Sequence, residues 1–170
     1  LKAERKYPVE VVVSIDKIEE VRLLGQSNLT AEDITSTELA IFMASSGKLH
    51  IENILSQKLN ITHEGTGNII LKGESVKDLK AKITKNGSLF GDELKVERAT
   101  LIHQGNGIVH LNPSKWMDAR MFGNGNLFLH EKPESIVIDQ RGNGTVSDIL
   151  PSASPLYDLN RSLPSLRRLK

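Results

Sequence analysis

Residues 103–146 read HQGNGIVHLNPSKWMDARMFGNGNLFLHEKPESIVIDQRGNGTV. Three times in that stretch a Gly-Asn-Gly triplet is followed, two positions on, by an apolar residue. Gly105-Asn106-Gly107 precedes Val109, Gly123-Asn124-Gly125 precedes Leu127, and Gly142-Asn143-Gly144 precedes Val146. Toward the N-terminus the pattern continues as Asn86-Gly87 and Gly65-Thr66-Gly67. The apolar residues after these turns are Leu29, Leu49, Ile69, Leu89, Val109, Leu127 and Val146, at steps of 20, 20, 20, 20, 18 and 19 residues. Two positions further on stand Ala31, Ile51, Leu71, Gly91, Leu111 and Leu129, and stepping back from the first copy reaches Val9 and Val11. Apolar residues two apart mark a strand with one buried face.

A second column has the same period. Leu39, Leu59, Leu79, Ala99, Ala119 and Ile138 align, with Val21, Ile41, Ile61, Ala81, Leu101 and Met121 two positions on. A third, weaker column is Ile34, Ile54 and Leu94, with Val76, Val96 and Trp116 further along. Each copy thus holds two clear strands and a shorter one, with no room for a long helix. A unit this short cannot bury its own apolar face, so copies must stack. The expected fold is all-β: a single-stranded parallel β-helix of about seven rungs of about 20 residues, over residues 1–150. An antiparallel sandwich would not explain recurrence at 20 residues. Gly and Asn at the turns predict tight corners with positive φ. Asn106, Asn124 and Asn143 are expected to stack at one of them. Residues 151–170 break the period with Pro151, Pro155 and Pro164, and form a separate tail, docked or capping.

The 170-residue chain carries 22 Lys and Arg against 21 Asp and Glu, a net charge of +1. That balance argues against nucleic acid as a partner and against a charged membrane surface. Cysteine is absent, which excludes disulfides and thiolate chemistry. No apolar run reaches the roughly 18 residues of a membrane span. The chain starts at Leu1 rather than Met, which suggests removal of an N-terminal segment.

The Gly-Asn-Gly corners with their apolar alternation resemble the auto-transporter adhesin, head GIN domain family, from about Val9 to Ile149. The early copies, around Gln26-Ser27 and Ser45-Ser46-Gly47, lack the triplet. The resemblance implies a right-handed β-helix and export by Bacteroidetes-type Gram-negative bacteria, to the periplasm or cell surface. It implies no catalytic residue.

No residue pattern calls for catalysis, a cofactor or a metal. The glycines are not followed by a helix, so they do not form a phosphate cradle. His63 and His103 share a column two rungs apart, too far for one metal ion, and are expected at strand ends near a corner. Glu38, Lys58, Asp78, Arg98 and Asp118 alternate in sign at intervals of 20, as a structural charge ladder would. The candidate binding face is the outward column of His50, Ile70, Phe90, His110 and Phe128, which begins at Thr30. An exposed apolar stripe of this kind calls for cover by the tail, a homo-oligomer contact, or a ligand. The expected function is a non-enzymatic exported binding or adhesion module with a glycan or protein partner. The alternatives are a structural β-helix that assembles end to end, like bactofilins, and a glycan-active enzyme.

Overall fold

The computed structural model describes residues 18–148. Val9, Val11 and the tail at 151–170 lie outside them. Twelve strands follow one another: β1 (Glu20–Gly25), β2 (Leu29–Glu32), β3 (Thr35–Ser45), β4 (Lys48–Glu52), β5 (Leu55–His63), β6 (Asn68–Leu71), β7 (Gly73–Ile83), β8 (Ser88–His103), β9 (Val109–Met121), β10 (Leu127–Leu129), β11 (Ser135–Gln140) and β12 (Val146–Asp148). No helix occurs among the described residues, so none there is long and apolar enough to cross a membrane.

Every pairing is parallel, between one copy of the repeat and the next. Leu29, Leu49, Ile69, Leu89, Val109, Leu127 and Val146 pair in that order. These seven stacked strands bound about six complete turns, one fewer than the number of repeat copies, and the fold is a parallel β-solenoid. The inward positions form one continuous core. Ile51, Leu59, Leu71, Leu79, Leu101, Leu111 and Leu129 are all buried. Each buried leucine or isoleucine contributes about 1.5–3 kcal/mol by leaving water. The third column supplies Ile34, Ile54, Val76, Leu94 and Val96 to the same core.

The register departs from strict periodicity between β7 and β8, at Gly73/Val76, and most strongly between β8 and β9. Gly91 pairs with Leu111 but Lys95 pairs with Asn112, so β9 turns the corner with three residues fewer; an extra residue then enters β9 between the Val96–Pro113 and Arg98–Trp116 pairs. The net loss of two produces the 18-residue step. Three expectations change as a result. Pro113, not Trp116, follows Val96 in the third column. Met117, not Ala119, follows Ala99, and Ala119 pairs with Leu101. Trp116, not Asp118, stands next to Arg98, so the charge ladder ends at Arg98 and Asp118 faces Thr100.

The glycine corners also differ from expectation. Among the described residues positive φ occurs at Gly25, Asp33 and Asn53, and at none of the Gly-Asn-Gly corners. Glycine is required there by close approach of the chain to itself. A Cβ on Gly107 would lie 1.9 Å from the carbonyl oxygen of Gly87, one rung below. The Asn ladder forms in part and is shifted by one rung: Asn106 Nδ2 donates to Asn86 Oδ1 (2.9 Å) and Asn124 Nδ2 to Asn106 Oδ1 (3.2 Å), while Asn143 makes no hydrogen bond to Asn124. At another corner, where Asp33 and Asn53 adopt φ 57°, Asn53 Nδ2 donates to Asp33 Oδ1 at 2.9 Å.

Candidate functional site

The outward column beside the Gly corners is in register along its whole length. Thr30 pairs with His50, His50 with Ile70, Ile70 with Phe90, Phe90 with His110, and His110 with Phe128. The alternation of each strand explains the placement: buried Leu49 and Ile51 flank His50, and buried Val109 and Leu111 flank His110. Stacked rungs bring outward side chains into contact, so His50, Ile70, Phe90, His110 and Phe128 are each half-buried against their neighbours.

The column has two halves. Toward the N-terminus it is polar at its edge. His50 Nε2 lies 3.0 Å from Glu52 Oε1, and Lys72 Nζ lies 3.7 Å from the same oxygen and 3.1 Å from Glu93 Oε1. The hydrogen bond to Glu93 and its charge, more than Glu52, raise the Lys72 ammonium above its ordinary range. Toward the C-terminus the column is a stack of rings. The His110 centroid lies 5.4 Å from that of Phe90 and 4.9 Å from that of Phe128, with interplanar angles of 31° and 29°. Such contacts add about 0.5–1.5 kcal/mol each beyond the area they bury.

His130 joins this half. Its Nε2 is 2.8 Å from His110 Nδ1, and the two rings are 5.2 Å apart. Burial pushes the His110 imidazole below its ordinary range, the nearby His130 pushes it further, and Asp92 opposes both. His130 was not a candidate from the sequence. It lies 20 residues after His110, but the short turn makes Phe128 the direct partner and leaves His130 diagonal to His110. The nominal period between the two histidines was the available signal.

His63 and His103 lie inside the solenoid, fully buried. His103 Nε2 donates to the Gly107 carbonyl at 2.8 Å, and Nδ1 accepts from Gly105 N–H at 3.3 Å. His63 does the same with Gly67 (2.9 Å) and Gly65 (3.3 Å). For His103 these bonds fit the Nε2–H tautomer, and burial pushes its imidazole below the ordinary range. Gln140 Nε2 donates to the Gly144 carbonyl in the same way. Each side chain clamps the corner that follows it. The structure therefore separates two pairs of histidines: His63 and His103 tie the corners from within, while His110 and His130 meet on the outside.

Among the described residues, no group of three or more His, Cys, Asp or Glu is placed to enclose a metal ion. The chemistry on offer is ring stacking, together with a hydrogen-bonded pair of imidazoles at the edge of the stack.

A parallel β-solenoid with no helix among the described residues, polar ladders at its corners and a ring-lined outer column defines a class of repetitive all-β proteins. The chain belongs to the family described as "Putative auto-transporter adhesin, head GIN domain", whose model matches residues 2–133. Among solved structures it is similar to one described as a putative adhesin from Bacteroides fragilis, with 23% identity and a TM-score of 0.63. That match covers 76% of this chain and 56% of the other, so the chain spans little more than half of its structural relative. Comparison with curated proteins gave no match.

Proposed function

We propose that the protein is an exported, non-enzymatic adhesin-like module, at the cell surface or in the periplasm, that binds its partner through the outer column of His50, Ile70, Phe90, His110 and Phe128. The carrying observation is the continuous stack of Phe90, His110 and Phe128. Three rings held in register by backbone pairing form a firm, ordered ridge. Ring faces of this kind stack on the apolar faces of sugars, and the polar edge at Glu52, Lys72 and Glu93 supplies donors and acceptors to hydroxyl groups. A glycan is the partner this combination suits best. Family membership supports the adhesin part of the reading.

The test is the double variant Phe90→Ser, Phe128→Ser, with circular dichroism to confirm the fold. Glycan-array binding by the parent and its loss in the variant is the expected result. Loss of self-association in light scattering, or faster proteolysis of residues 151–170, with no change on the array would replace the glycan by a second copy or the tail. A variant equal to the parent in all three measurements would remove the ridge as a functional surface.

A further inference from the structure

Asn-Gly steps recur at the glycine corners of successive rungs, and the fold treats them unequally. They are Asn86-Gly87, Asn106-Gly107, Asn124-Gly125 and Asn143-Gly144. All four asparagines are exposed and all four glycines are buried, so water has similar access to each step.

An Asn-Gly step carries its own chemistry. The glycine nitrogen, with no neighbouring side chain to hinder it, can attack the Cγ of the asparagine before it. A bond forms between that nitrogen and Cγ, the Cγ–Nδ2 bond breaks, and the proton of the glycine N–H leaves with the amide as ammonia. Water then opens the cyclic imide at either carbonyl and gives aspartate or isoaspartate. The sum is amide plus water to carboxylate plus ammonium, with no oxidant or reductant.

Two conditions govern the rate in a folded chain. The side-chain amide must be free to turn onto the glycine nitrogen, and the glycine N–H must be released from its rung bond. The ladder opposes the first. Asn106 is held at both ends, since its Nδ2 donates to Asn86 Oδ1 at 2.9 Å and its Oδ1 accepts from Asn124 Nδ2 at 3.2 Å. Asn86 and Asn124 are each held by one of these bonds. Among the described residues the Asn143 side chain is held by none. The second condition points the same way. Gly87 N–H donates to the Gly65 carbonyl at 3.2 Å and Gly125 N–H to the Gly105 carbonyl at 3.1 Å, whereas Gly144 N–H reaches the Gly123 carbonyl only at 3.4 Å. Gly107 N–H makes no rung bond among the described residues, but its Asn106 is the one held at both ends.

We propose that Asn143 is a modification site, where the chain deamidates spontaneously with water as the only co-reactant, and that stacking protects Asn86, Asn106 and Asn124. The inference does not depend on the adhesin reading. Isoaspartate would lengthen the main chain at a corner with no room for it, because even a Cβ on Gly144 would lie 1.9 Å from the Gly125 carbonyl oxygen. The Gly144 carbonyl is also the acceptor of Gln140 Nε2. Reaction at Asn143 therefore loosens β12 from β10, while the earlier rungs keep their ladder.

The test is incubation of the full chain in mildly alkaline buffer, followed by tryptic digestion and peptide mass spectrometry, which reads the conversion of amide to acid at each asparagine. Asn143 should react about tenfold faster than Asn106, which has two bonds to lose, and several-fold faster than Asn86 and Asn124, which have one each. In urea the four steps should react at similar rates, which assigns the ranking to the fold. Asn106→Ser should bring Asn124 toward the rate of Asn143, with circular dichroism to confirm that the variant folds. The proposal is overturned if Asn106 or Asn124 reacts as fast as Asn143 in the folded parent, if the same ranking persists in urea, or if the folded Asn106→Ser variant leaves Asn124 as slow as before.

Discussion

His103 and His110 lie seven residues apart on either side of one glycine corner, and they behave in opposite ways. His103 is inside the solenoid, at the end of β8, with both ring nitrogens bonded to the backbone of Gly105 and Gly107. His110 is on the outside of β9, with rings above and below it and a second histidine at its edge. Burial lowers both imidazoles below their ordinary range. For His103 the bonds to carbonyl oxygens partly oppose that shift; for His110 a neighbouring imidazole adds to it. Strand parity alone assigns the two roles. A side chain facing in must satisfy its polar atoms with the chain's own backbone and is then spent. A side chain facing out keeps a nitrogen for other partners.

The strongest way to break this comparison is to attack the next glycine corner, which packs against His103 and Gly107 from one rung on. A Cβ on Gly125 would lie 2.1 Å from His103 Nε2 and 2.3 Å from the Gly107 carbonyl oxygen. Gly125→Val must therefore move both the imidazole and the rung below. Overpacking of this sort costs about 1–3 kcal/mol, and more where backbone has to shift. Leu111→Ala, between His110 and Asn112, should cost about 2–5 kcal/mol through the cavity it leaves. Urea denaturation should place both variants well below the parent, and Lys80→Ala, on the outer face, beside it. Equal tolerance at Gly125 and Lys80 would contradict the stacking.

A sharper test changes only the histidines. His103→Leu keeps the bulk but leaves the Gly105 N–H and the Gly107 carbonyl without their side-chain partner, at about 1–3 kcal/mol for each buried group left unpaired. His110→Leu removes a surface imidazole and keeps an apolar contact with the phenylalanines, so its cost should stay below about 1 kcal/mol. Denaturation midpoints for the two variants decide whether parity sets the role. If His110→Leu is the more damaging, the assignment is reversed.

Acid affects both residues in the same direction. Each has a folded-state pKa below the ordinary imidazole value of 6.5. As pH falls through that value, the unfolded chain takes up protons that the folded chain still refuses, so stability falls. The stability due to the neutral rings is complete above about pH 6.5 and is lost on the way down to the folded-state values. Denaturation midpoints at about pH 7.5 and about pH 5.5 should differ, and His103→Leu should reduce the difference. A midpoint that rises on acidification would refute the neutral assignment.

How much of this was legible from sequence depends on the kind of contact involved. The solenoid was, because Leu49, Ile69, Leu89 and Val109 repeat at the period of a turn and only stacking explains that. The outward column from His50 to Phe128 was, because parity follows from the same repeat. Asp118 was misplaced in the charge ladder because the loss of two residues was known only as a net step; whether it fell before or after Trp116 depends on the corner at Asn112 and the extra residue behind Pro113. The glycines were read as conformational when they are steric, since sequence shows what a residue permits but not which carbonyl of the previous rung lies against it. The inward clamps of His63 and His103 were out of reach for the same reason: their partners are backbone atoms, which leave no residue-specific trace.

The smallest expected effect belongs to the charge ladder, and it is the control for the outer column. Glu38, Lys58, Asp78 and Arg98 stack in register, yet their contacts are unequal. Arg98 grips Asp78 with two bonds, Nε to Oδ1 at 2.6 Å and Nη2 to Oδ2 at 3.0 Å. Glu38 instead accepts from Asn60 Nδ2 at 2.9 Å. The hydrogen bond from Arg98 holds the Asp78 carboxyl below its ordinary range. Its contribution is present above the unfolded pKa near 3.8 and is lost as pH falls below it. The pair is exposed and screened by salt, so at neutral pH it adds little to stability. Lys58→Gln with Asp78→Asn should shift the denaturation midpoint only slightly. It should leave glycan binding, self-association and tail proteolysis unchanged. Loss of any of these in the double variant would mean that the charged face, not the ring face, contacts the partner. The division of the solenoid into a structural ladder and a functional ridge would then have to be reversed.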